Sequence, residues 1–174
     1  MDDCCMACTV KHDLAATMRR SGMSAELVLV CLPVGVEGTP VAQYLADCST
    51  LGELPWRLSS VVVATAVGID DFEARLFDDG QLVLAGQGDD AVLESRSTGV
   101  VQARLIREAA HVLELPLLAD GSLTADAATK GAREALAADR LIRALTDPDA
   151  TIHVDAHDVD LHALVDVFDS VRRQ

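Results

Sequence analysis

The chain has 174 residues, enough for one domain with a sizeable core. Hydrophobic residues make up 50 % but aromatics only 3 %, so that core must be filled by Val, Leu and Ala. A formal net charge of −14 argues against binding to a nucleic-acid backbone, which calls for a basic patch, and suits solubility or a basic protein partner.

In chain order, Val10, Leu14 and Met18 recur every four residues, and Gly22 is placed to stop that helix. LVLVCL (27–32) is a continuous apolar run, the pattern of a strand buried on both faces. Thr39 and Pro40 suit an N-cap and first helical position for VAQYLA, with Cys48 in the loop beyond. SSVVVATAV (59–67) reads as a second buried strand, followed by an acidic helix start at IDDFEARLF. FDDGQLVLAGQGDD carries Gly and Asp turn signals on both sides of a short strand, so a surface hairpin or mobile insertion is expected at 78–95.

Val101, Leu105, Ala109 and Val112 mark one helical face. VLELPLLA (112–119) then reads as a strand that Pro116 places at an edge or ends early. The spacing of Ala138, Leu141, Ile142 and Leu145 predicts a long helix over 124–145. ATIHV (150–154) reads as the last strand, and Leu161, Leu164, Val165 and Phe168 as a final amphipathic helix. Helices between successive strands predict an α/β fold with a mostly parallel sheet flanked by helices, in a single domain over 1–174.

No apolar run approaches the roughly 20 residues of a membrane helix. Asp2 and Asp3 stand where a secretory signal would carry basic charge. Five cysteines, three of them at Cys4, Cys5 and Cys8, do not suit a disulfide framework, and a cytoplasmic protein with reduced thiols is expected. All basic residues except Lys11 and Lys130 are arginine and alanine abounds, a bias associated with GC-rich bacterial genomes.

CCMACTVKHDLAATMRR resembles the G-C-x-C-C-T-V-R-x-D-L segment of CobW-type metallochaperone GTPases. Cys5 and Cys8 match its outer cysteines, Ala7 stands at its middle cysteine and Cys4 replaces its glycine. The resemblance runs patchily from about 4 to 168 through ELVLVCLPVGVEGTPVAQYL, SSVVVATAVGIDDF, VVQARLIREAAHVLELPLLAD and RLIRALTDPDATIHVDAHDVDLHALVD. It implies a P-loop-NTPase-like, Rossmann-like core whose first strand is missing. That would leave an exposed sheet position for a partner or a second copy to cover.

The departures decide the chemistry. No G-x-x-x-x-G-K-[ST] loop occurs to surround a nucleotide phosphate. Cys31, Leu32, Pro33 and Val34 stand where the family strand leads from glutamate into T-S-G. Gly68 replaces an aspartate, and Leu117, Leu118, Ala119 and Asp120 replace the guanine-reading motif. Without lysine, metal-holding carboxylates or a phosphate loop, nothing stabilises a transferring phosphoryl group, so neither nucleotide binding nor catalysis is expected of this chain.

Cys5 and Cys8 have C-x-x-C spacing, able to hold one tetrahedral Zn²⁺ where a loop enters a helix, and Cys4 is a third candidate ligand. His12 is the nearest candidate for a fourth. His153 and His157 in HVDAHDVDLH could join the thiols, although a solvated loop with Asp160 capping the last helix explains that segment as well. Cys31 reads as a buried structural thiol and Trp56 as a core plug. By resemblance, the chain is an accessory protein of bacterial zinc homeostasis, with a basic ribosome-associated partner such as a hibernation factor. A fragment of a GTP-dependent metallochaperone and a metal-free interaction domain are the alternatives.

Overall fold

The computed structural model describes residues 6–21, 26–85, 92–116 and 125–165. These fall into two compact units, one from the N-terminal stretch through Val63 plus residues from Asp160 onward, the other spanning Ala64–Val159.

The first unit is built on α1 (Met6–Ser21) and α2 (Gly38–Thr50). Val10, Leu14 and Met18 do lie along one stripe of α1, and they pack with Val41, Leu45 and Cys48 of α2 and with Val36 and Leu54. Trp56 joins this cluster as the sequence suggests. The buried Ser49 accepts a 2.8 Å hydrogen bond from the Leu58 amide, which ties the returning chain to α2. Residues 161–165 are helical, and Asp160 caps them by accepting from the His162 amide at 2.9 Å.

Four expectations fail in this unit. Residues 27–33 belong to no strand ladder among the described residues; Leu29 is 67 % exposed and Cys31 is exposed rather than buried. A run of β-formers becomes a strand only where neighbouring backbone meets its N–H and C=O groups. Cys48 lies inside α2 and is buried, because the helix continues through Thr50. That helix also begins earlier than Thr39, at Gly38 with Glu37 in the N-cap position.

In the second unit, β1 (Ala64–Gly68), β4 (His111–Leu115) and β5 (Thr151–His153) form a parallel sheet in the order β1-β4-β5. Strand β1 is shorter than the run 59–67 suggests. Between β1 and β4 come α3 (Phe72–Leu76), the antiparallel pair β2 (Gln81–Ala85) and β3 (Val92–Ser97), and α4 (Thr98–Glu108). Helix α5 (Ala125–Leu145) links β4 to β5. The architecture is thus α/β, a Rossmann-like parallel sheet flanked by helices.

Its core joins Val67 of β1, Phe72 of α3, Ile106 of α4, Val112 of β4 and Ala138 and Ile142 of α5. Pro116 ends β4 at Leu115, as a residue without an N–H should, yet β4 is the central strand and not an edge. Ala109 and Val112 are not on the helical face expected of them, since α4 stops at Glu108 and β4 begins three residues later.

Candidate functional site

The β4–β5 register pairs His111 with Thr151, Val112 with Ile152 and Leu113 with His153. Alternation along β4 therefore puts His111 on the same face as Leu113, diagonal to His153. The two rings meet there, His111 Nδ1 lying 3.1 Å from His153 Nε2 with ring centroids 5.2 Å apart and planes tilted by 44°. His111 is 1 % exposed and His153 half-buried. One nitrogen of this contact donates and the other accepts, so the two rings share a single proton across it.

Glu114 lies on the other face of β4, with Val112. It is 2 % exposed, and among the described residues no hydrogen-bond donor reaches its Oε1. Burial pushes its carboxyl above the usual carboxylate range; the nearby Asp139 charge adds to this and Arg143 opposes it. Arg143 is engaged by Asp139 one helical turn away at 2.8 Å.

The carboxyl ends of parallel strands are where ligands gather in open α/β sheets. Here β5 runs into Asp155, in the left-handed region at φ 51°, and a single 3-10 turn at Ala156–Asp158. His157 Nε2 donates to the Pro116 carbonyl at 2.7 Å, fixing its tautomer and fastening the loop after β5 to the end of β4. The sequence-predicted candidates His153 and His157 thus go to different partners. His111 is the residue that sequence reasoning missed.

On α1, Cys8 and His12 are four residues apart, which places them on one helical face. Cys8 is half-buried; His12 is exposed and sets its ring edge against Tyr44 of α2, with centroids 5.9 Å apart. A hydrogen bond to Cys48 pushes the Tyr44 hydroxyl above its ordinary range. Thiolate and imidazole are both donors that Zn²⁺ takes, and Cys8 and His12 are the two of the four expected N-terminal ligands that lie among the described residues. Cys4 and Cys5 lie outside the described residues. Among the described residues no three His, Cys, Asp or Glu side chains gather as a ligand set, and no helix is long and apolar enough to cross a membrane.

No protein-family model, curated protein or solved structure matches this chain.

Proposed function

We propose that this chain is a non-catalytic, CobW-like accessory protein of bacterial metal homeostasis. It works in the cytoplasm, holding Zn²⁺ through its N-terminal cysteine segment and engaging a basic protein partner. The observation that supports this reading is the Cys8–His12 pair on α1, a soft and a borderline donor at helical i,i+4 spacing, just after Cys4 and Cys5. The net charge of −14 favours fast, salt-sensitive association with a cationic partner. Metal analysis of freshly purified, reduced protein tests the first half: at least one zinc per chain is expected, and Cys5→Ser with Cys8→Ser should remove one equivalent. A chain whose mass is unchanged by zinc, with its thiols intact, removes the metal role.

A metal-free interaction domain is the second reading. The exposed apolar side chains Val28, Leu29 and Val34, all between α1 and α2 in sequence, favour it.

A further inference from the structure

We infer that His111 and His153 form a second metal site, a two-imidazole seat for a borderline divalent ion of the zinc, copper and nickel class, built on the parallel sheet.

The geometry comes first. Two imidazole nitrogens bound to one tetrahedral Zn²⁺ at about 2.0–2.1 Å stand about 3.4 Å apart. His111 Nδ1 and His153 Nε2 stand 3.1 Å apart, a separation within a few tenths of an ångström of that value, and the rings, now aimed at each other in a hydrogen bond, must turn so that both lone pairs converge on the ion. Both rings rise from neighbouring strands whose relative position is fixed by a three-residue ladder, the kind of rigid support that keeps ligands in place. Burial holds the His111 ring, while the half-buried His153 leaves the ion a way in.

The donor chemistry points the same way. Neutral imidazole prefers zinc, copper and nickel over calcium or magnesium. Binding needs a lone pair from each facing nitrogen, so each ring carries its one proton on the far side, His111 on Nε2 and His153 on Nδ1. In the metal-free pair one ring must have the opposite tautomer, because one nitrogen of the contact donates. With two ligands from the described residues, the remaining positions go to water or to a donor brought by another molecule. The site is independent of the cysteines and uses different residues from the proposed zinc role.

The experiment uses the full chain carrying Cys4→Ser, Cys5→Ser and Cys8→Ser, so that loss of the cysteine site and loss of this one are separable. It is titrated with Zn²⁺ by calorimetry and with Co²⁺ by visible absorption. One equivalent should bind with weak d–d bands, without thiolate charge transfer, and ¹⁵N spectra should show His111 and His153 in the two tautomers named. His153→Ala, at the more accessible ring, should weaken binding at least about tenfold with an unchanged circular dichroism spectrum. His153→Ala carries the test because His111→Ala removes a buried ring and can unfold the chain. No binding in the serine background, binding with thiolate charge transfer, or equal affinity after His153→Ala overturns the assignment.

Discussion

Gly99, at the start of α4, brings its bare α-carbon against the backbone carbonyl oxygen of Leu76 at the end of α3. A Cβ there would fall inside contact distance of that oxygen. The Gly99 amide also donates to the Asp78 carbonyl at 3.1 Å, so at this point the two segments meet backbone to backbone. Neither group can swing aside as a flexible side chain would. Gly99→Ala should therefore cost roughly 2–3 kcal/mol through overpacking. Gly131, exposed within α5 with open space around its Cα, is the control: Gly131→Ala should add about 0.5–1 kcal/mol. Urea unfolding of both variants checks the pair, and equal effects would contradict the close approach.

Glu114 predicts a pH dependence. Its folded-state value is raised, by burial first and then by Asp139. A raised carboxyl binds its proton more tightly in the folded than in the unfolded chain. Stability from this group is therefore greatest on the acid side and falls as pH rises through the folded value. Glu114→Gln keeps the shape and removes the charge. It should stabilise the protein by about 1 kcal/mol at pH 8 and by less at pH 5. Denaturant midpoints of wild type and variant at both pH values make the test; a variant destabilised at pH 8 would mean the carboxylate has a partner that stabilises its charge.

The exposed apolar segment gives a third prediction. Leu29 is 67 % exposed and Val34 64 %. Leu29→Lys should change stability by less than about 0.5 kcal/mol and lower the tendency to aggregate, since a charge on an exposed apolar segment outside any sheet discourages association through it. A large loss in the thermal melt would show that Leu29 is a core residue after all.

Much of the fold was legible because local signals and tertiary structure agree. Helix α5 begins within one residue of the position its spacing predicts and ends at Leu145 as expected. Pro116 ends β4 through its missing N–H, and Asp160 caps the helix after it. Residues 27–32 misled for a physical reason: an apolar run is read as a buried strand, but burial and pairing depend on neighbours that periodicity does not report. The site was less legible still. His153 stood out in a polar stretch, whereas His111 hides at the junction of α4 and β4, 42 residues away. Only the parallel register brings the two rings together, and nothing in the spacing of single residues announces it.

The division of the chain has a consequence for its biosynthesis. Because one unit draws on both the residues up to Val63 and those from Asp160 onward, a ribosome finishes the whole intervening unit before supplying the last part of the outer one. A chain halted near residue 159 would still hold its newest residues, β5 among them, inside the ribosome, so neither unit could be completed at that point. The α1–α2 apolar faces, which cover one another with residues from Val10 to Leu58 alone, would by contrast be able to close early in synthesis and so limit their exposure to aggregation.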